Sequence, residues 1–324
     1  MTDTMRALVL DRTGGPDELR LADAPRPQRV LDEVLVRVIA AGVNPIDAKT
    51  RAGRGVSGAL AAWPAVLGFD FAGIVEQAPY AAHPLRPGDR VYGMGRVPRV
   101  PGSYAEYLAV TSLSVAPMPE SLGFVEAAAI PLAALTAWGA VFDTAKVRAG
   151  TRVLVHAGAG GVGHFAVQFA AHAGAEVTAT GSARNTEFLR SLGASRVIDY
   201  TSERFEQVAG EQDAVIDLIG NVADDTGTRS LEVLHPDGVL VNVPTGSWPT
   251  MAEEAAARGL RATGYVVAPD ARVLAEITRL IDDGAVRVHV DREFPLAEGA
   301  EAHRRLEAGH VRGKLVLRVA PDPS

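Results

Sequence analysis

Six consecutive residues carry the clearest chemistry. Gly158-Ala159-Gly160-Gly161-Val162-Gly163 has the spacing G-x-G-x-x-G. The apolar run Val153-Leu154-Val155 precedes it and a helix-forming stretch, Gly163–Ala173, follows. In that setting one glycine makes the tight turn after a strand. The next lets backbone approach a pyrophosphate, and the last lets a helix pack close to the strand. The first N–H groups of the helix then hold phosphate oxygens. Gly158, Gly160, Gly161, Val162 and Gly163 are therefore candidate dinucleotide contacts. The residues about 20 positions on select between NAD and NADP. Here they read Thr180-Gly181-Ser182-Ala183-Arg184-Asn185, with no acid before Glu187. A hydroxyl at Ser182 and a guanidinium at Arg184 suit a 2′-phosphate, which a carboxylate would repel. NADPH is the expected cofactor; the alternative for Arg184 is a solvated arginine opening a helix. The eight histidines show no H-E-x-x-H or other ligand spacing, and no G-x-S-x-G elbow occurs. His156 and His164 read as packing or polar contacts.

These residues need a scaffold. The first 125 residues suggest short strands at Arg6–Leu10, Glu33–Ala40, Gly73–Glu76 and Tyr104–Val110, separated by glycine- and proline-rich turns. A small distorted barrel or sandwich is expected there. Glu126–Phe142 is alanine-rich with one interior proline, Pro131, and suggests a helix. From Thr151 onward apolar strands alternate with helices, the rhythm of a doubly wound parallel sheet. Strands are expected at 151–156, 176–180, 196–200, 213–219 and 238–243, with an amphipathic helix at Ala271–Gly284. Strand character returns at Val286–Phe294 and Lys314–Val319, around a helix at Leu296–Ala308.

Composition narrows the function. The chain has 324 residues, 47% hydrophobic and 22% charged, enough for about two domains. Its net charge of −7 argues against a nucleic-acid surface, which needs a basic excess. With no cysteine, disulfides, thiolate nucleophiles, iron–sulfur clusters and sulfur-ligated zinc are all excluded. No leader-like stretch and no apolar run of membrane-spanning length are visible, so a soluble, cytoplasmic protein is expected.

Several local patterns coincide along the chain. They are Ala40–Asp47 (A-A-G-V-N-P-I-D), Pro64–Gly73 (P-A-V-L-G-F-D-F-A-G), Gly88–Val91, Gly102–Tyr107, Ala127–Leu132, Leu135–Trp138, Val153–Gln168, Ile198–Tyr200 and Gly313–Leu317. In this order they resemble the medium-chain dehydrogenase/reductase superfamily, in particular its zinc-free quinone oxidoreductase branch. The resemblance implies an α/β protein: a GroES-like β-rich domain, residues 1–126 and 286–324, around an inserted Rossmann domain, residues 127–285, with the cofactor in the cleft. Zinc-using relatives place a cysteine where this chain has Asn44, and a His-Glu pair where it has Phe69-Asp70. Without zinc, alcohol oxidation loses its Lewis acid. Hydride addition to an electron-poor quinone or enone still needs only hydrogen-bond donors for the developing oxyanion.

The resemblance also assigns residues. It places Asn44 close to the nicotinamide and the substrate; a turn cap before Pro45 is a compatible second role. Asn44 and Asp47 are the candidate catalytic residues, with Asp47 expected to position the loop rather than to transfer protons. Thr136 would lie beside the cofactor, unless its hydroxyl only bonds back into its own helix. Tyr200 would reach the adenine or the 2′-phosphate. Val243 and Pro244 would sit where nicotinamide rests, and Lys314 near the cofactor phosphates. Trp63 and Tyr104 are candidate substrate-lining aromatics, with core packing as the alternative. Lys49 stands where several relatives have tyrosine. Arg51, Arg54, Arg96 and Arg99 put positive charge, solvated or substrate-facing, into the expected substrate loops.

The expected function is an NADPH-dependent, zinc-free reductase of a quinone. The alternatives are an enone or enoyl reductase on the same scaffold and an NADPH-binding redox sensor without turnover. No metal, nucleic-acid or membrane partner is expected. The resemblance adds a homodimer, paired through the edge-like stretch Arg261–Val267.

Overall fold

A computed structural model describes residues 3–323; Met1, Thr2 and Ser324 lie outside them. The chain divides into two compact units, Met1–Leu135 with Ala268–Gly284 and Val288–Ser324, and Thr136–Val267 with Ala285–Arg287.

The first unit is built from β1 (Thr4–Leu10), β2 (Leu19–Pro25), β3 (Glu33–Val43), α1 (Pro45–Arg51), β4 (Ala65–Val66), β5 (Asp70–Gln77), β6 (Arg90–Met94), β7 (Tyr107–Thr111), β8 (Val115–Pro117) and α2 (Phe124–Ala128). α3 (Pro131–Trp138) runs across the division between the units. β2, β1 and β4 form a small sheet. The long strand β3 is the spine of a second sheet: β5 and β7 pair antiparallel along it, and both place its apolar residues in a fully buried core with Val36, Val38 and Phe71.

The second unit begins with β9 (Arg152–Val155), α4 (Gly163–His172), β10 (Glu176–Gly181), α5 (Thr186–Ser191) and β11 (Arg196–Asp199). It continues with α6 (Phe205–Val208), β12 (Gln212–Asp217), α7 (Thr226–Ser230), β13 (Leu234–Asn242), α8 (Met251–Ala257) and β14 (Arg261–Gly264). Its six strands are all parallel, in the order β11-β10-β9-β12-β13-β14. The order reverses between β9 and β12, the switch point of a Rossmann sheet. Val153, Leu154 and Val155 have no exposure, as expected of a strand covered on both faces.

The chain then returns to the first unit with α9 (Ala271–Asp282), β15 (Val290–Pro295), α10 (Gly299–Glu307) and β16 (Lys314–Arg318). β16 pairs antiparallel with the end of β3, Leu315 opposite Val43. This register brings the start of β16 beside the residue that opens α1.

Three expectations change. The single helix over 126–142 is two helices followed by a wider π-turn at Gly139–Thr144. Pro131 has no N–H to continue a helix and restricts the residue before it. The expected domain boundaries after residues 126 and 285 also move. Residues 127–135 stay with the first unit, where the Leu132 N–H donates to Asp70 Oδ1 at 2.8 Å. Residues 268–284 join it too. The Tyr92 hydroxyl donates to the Leu274 carbonyl at 2.7 Å, and the Asp282 carboxylate accepts from the Ser121 N–H and hydroxyl. Finally, β12 stops at Asp217 rather than 219, because the Asp217 side chain takes the Ile219 and Gly220 N–H groups itself.

Candidate active site

In the second unit the glycine loop leaves β9 and opens α4. A Cβ on Gly163 would stand 2.2 Å from the Ala157 carbonyl oxygen and 2.8 Å from the Gly158 Cα. Only glycine lets the helix start this close to the end of the strand. Gly160 differs: a Cβ there would meet one atom within 4 Å, the Ala157 oxygen at 3.2 Å. Its other side is open, as backbone approach to a pyrophosphate requires. This open side, on the turn that leads into α4, fits a dinucleotide.

Ser182, Arg184 and Tyr200 gather at the carboxyl ends of β10 and β11. The Tyr200 N–H donates to the Gly181 carbonyl at 3.2 Å, and Asn185 Nδ2 to Ser182 Oγ at 3.3 Å. Arg184 is exposed and Tyr200 is 50% exposed. Val243 and Pro244 follow β13 at the same edge of the sheet, the Val243 N–H donating to the Asp217 carbonyl. Thr136, in α3, is buried. One carboxylate escaped the sequence reading. Asp199 ends β11 opposite Gly181 and accepts the Thr201 N–H and hydroxyl, which hold its carboxyl below the usual range. Inspection along β10 alone cannot find an acid supplied by the neighbouring strand.

His156, after β9, is buried against Phe205, with Thr180 Oγ1 at 3.2 Å and Ser230 Oγ at 2.9 Å. Burial pulls its pKa down to about 4, so it is a neutral, structural histidine, as expected.

The first unit holds the second half of the candidate chemistry. Pro45 opens α1, a position that needs no N–H, and Asp47 Oδ2 accepts the Asn44 N–H at 2.9 Å across the first turn. The Asn44 side chain turns elsewhere. Its Nδ2 donates to Asp70 Oδ2 at 2.9 Å, and its Oδ1 accepts from Lys314 Nζ. Lys314 Nζ also donates to the Val43 carbonyl at 3.1 Å and lies 3.5 Å from Asp70 Oδ2. All four side chains are buried. Burial pushes the Asp47 carboxyl up to about 7, with nearby Asp70 adding to the rise and the Asn44 N–H opposing it. Burial likewise raises Asp70 and lowers Lys314, each opposed by the charge of the other.

Three assignments are corrected here. Lys314, expected near the cofactor phosphates, is 4% exposed and its ammonium is committed to Asn44, Asp70 and Val43. Tyr104, expected to line the substrate site, has no exposure and packs among Leu8, Leu67, Phe294 and Leu315. Its hydroxyl lies 3.4 Å from Nε2 of buried His303, whose pKa burial and Arg51 pull down to about 3. Arg51 is not a loop charge either: it is buried and paired with Glu307. Trp63 is 47% exposed before β4. The sequence reading missed Asp70 as a site residue, although a lone carboxylate in the apolar run Leu67–Ala72 is a signal that a buried partner must exist. Among the described residues no cluster of three or more His, Asp or Glu is placed to hold a metal, and no helix is long and apolar enough to cross a membrane.

Residues 31–120 match the family described as alcohol dehydrogenase GroES-like domain, and residues 192–317 the one described as zinc-binding dehydrogenase. The chain is 35% identical to the chloroplastic NADPH-dependent alkenal/one oxidoreductase of Arabidopsis thaliana, over 98% of this chain and 80% of that protein. It is 34% identical to the 2-methylene-furan-3-one reductase of Solanum lycopersicum, with the same coverage. The solved structure of the quinone oxidoreductase from Coxiella burnetii superposes with a TM-score of 0.92 at 39% identity, covering 98% of this chain and all of that one.

Proposed function

The chain belongs to the zinc-free quinone oxidoreductase branch of the medium-chain dehydrogenase/reductase superfamily, and from that membership we propose that it transfers hydride from NADPH to a quinone without zinc. The observation that carries the reading is the glycine loop: a G-x-G-x-x-G turn with an open side at Gly160, at the switch-point strand of a six-stranded parallel sheet. The residue types in the other unit complete it. Asn44 and Phe69-Asp70 stand where zinc-using relatives carry ligands, so an amide donor, not a metal, meets the negative charge that develops on the acceptor oxygen.

In this reading Gly158, Gly160, Gly161, Val162 and Gly163 hold the pyrophosphate along the turn into α4. Ser182, Arg184 and Tyr200 hold the adenosine end, and Arg184 offsets the 2′-phosphate against Asp199. Thr136, Val243 and Pro244 position the nicotinamide, which when bound supplies the hydride. Asn44 steadies the acceptor oxygen, and Asp47 fixes the Asn44 backbone. A second reading, reduction of a carbon–carbon double bond conjugated to a carbonyl, is favoured by the names of the two plant relatives. It uses the same residues, because an enone develops the same oxyanion.

Quinone-dependent oxidation of NADPH and NADH by the wild type and Arg184→Glu tests both cofactor and acceptor. Arg184→Glu should raise the KM for NADPH by about tenfold or more while moving the KM for NADH little, since a charge-assisted contact to phosphate is lost and a repulsion gained. Equal shifts for the two cofactors would contradict the 2′-phosphate assignment.

A homodimer belongs to the same proposal. β14 is the last strand of its sheet, and Val266 just beyond it is 66% exposed; an unpaired edge is a template for a second copy. Sedimentation equilibrium at micromolar concentration should return a dimer, and a monomer would contradict this arrangement.

A further inference from the structure

We propose that Asp70 and Lys314 are positioning residues for the Asn44 amide: they fix which way it faces and leave one of its N–H groups as the donor to the acceptor oxygen. The inference rests on the reading of Asn44 as that donor and goes beyond it by assigning what aims it.

A lysine ammonium has three N–H groups. Those of Lys314 meet the Val43 carbonyl at 3.1 Å, Asn44 Oδ1, and Asp70 Oδ2 at 3.5 Å. It has none to spare. The Asn44 amide has two. One goes to Asp70 Oδ2 at 2.9 Å, and no other acceptor claims Nδ2 among the described contacts. Asp70 is in turn held by the Leu132 N–H on Oδ1, and Asp47 holds the Asn44 backbone N–H. Asn44 is therefore fixed at three of its atoms.

The ammonium decides the sense of the amide. A flipped amide would put its NH2 against the Lys314 ammonium and its oxygen against the Asp70 carboxylate, unfavourable at both ends. The same ammonium draws charge from the amide oxygen and makes the remaining N–H a stronger donor, as coupled hydrogen bonds in a low dielectric do. A neutral partner at residue 314 would fix neither sense nor strength.

The test is a double-mutant cycle. Removing Lys314 alone would leave a buried carboxylate uncompensated, so the variant is the charge-neutral pair Asp70→Asn with Lys314→Met. In the wild-type background this pair should lower kcat with a quinone by about tenfold, the cost of a misaimed contact, with the KM for NADPH nearly unchanged. In an Asn44→Ala background the pair should change kcat by less than about twofold, because there is no amide left to aim. Equal losses in the two backgrounds would show a general structural role and overturn the proposal. So would an undiminished kcat in the folded pair variant. If circular dichroism shows the pair unfolded, the charge-neutral pair Asp70→Asn with Lys314→Gln, a closer match in length and polarity, is run through the same cycle with the same expected outcomes. Failure of the underlying reading looks different: Asn44→Ala alone would leave kcat unchanged, which would overturn both.

Discussion

Asn44→Ala should lower kcat with a quinone by about 10²–10³, the range seen when one oxyanion donor is removed. The affinity for NADPH, read by fluorescence titration, should change far less, because the glycine loop and the Arg184 segment belong to the other unit. The size of the effect follows from where the amide sits. It is 1% exposed and held by Asp70 and Lys314, so it costs no reorganisation when charge develops nearby. The variant should still fold, since Asp70 and Lys314 retain each other, at a stability cost of about 1–3 kcal/mol for the two hydrogen bonds lost. A kcat within about threefold of wild type would remove Asn44 from the chemistry and leave it a structural residue opening α1.

Two alanine substitutions three residues apart, on either side of Gly161, should separate folding from binding. Gly163→Ala places a methyl 2.2 Å from the Ala157 oxygen and 2.8 Å from the Gly158 Cα. Both are backbone atoms, which cannot swing aside, so α4 must move off the end of β9. A stability loss of about 1–3 kcal/mol or more is expected for such overpacking, read as a lowered thermal midpoint, together with weak NADPH binding. Gly160→Ala meets only the Ala157 oxygen at 3.2 Å. It should keep a near wild-type midpoint and still lose NADPH affinity by about tenfold or more, because its methyl would enter the open side proposed for the pyrophosphate. Undiminished NADPH binding by Gly160→Ala would mean that the open side of the loop is not the phosphate side.

The strand, glycine turn and helix proposed to hold the dinucleotide were legible in the sequence because their geometry is local. Strand, turn and helix follow within Arg152–His172, and Gly160 and Gly163 answer to Ala157 and Gly158, a few residues away. The order of the strands was not legible: β9 lies between β10 and β12, and nothing in the local pattern names the second neighbour. The same limit hid Asp199, which arrives from β11. The cluster around Asn44 is assembled from distant positions. Asn44 meets Asp70 across 26 residues and Lys314 across 270, so motif spacing carries no trace of the cluster. Tyr104 misled because a tyrosine in a polar-looking motif can satisfy its hydroxyl inside the core, here near His303. Lys314 misled because a lysine suggests phosphate, whereas burial beside the Asp70 carboxylate, the Asn44 amide oxygen and the Val43 carbonyl gives this one a structural partner set. Pro131 was visible in the sequence and should have divided the expected helix, since its ring removes the donor that a continuous helix needs.

The choice of acceptor tests the proposed activity most directly. Purified protein, with NADPH saturating, is given a simple quinone and a 2-alkenal in parallel, and kcat/KM is measured for each. The account predicts a higher kcat/KM for the quinone. A higher value for the alkenal would contradict it and make the protein a reductase of conjugated double bonds, and turnover with neither, despite NADPH binding, would contradict both and leave a nucleotide-binding sensor.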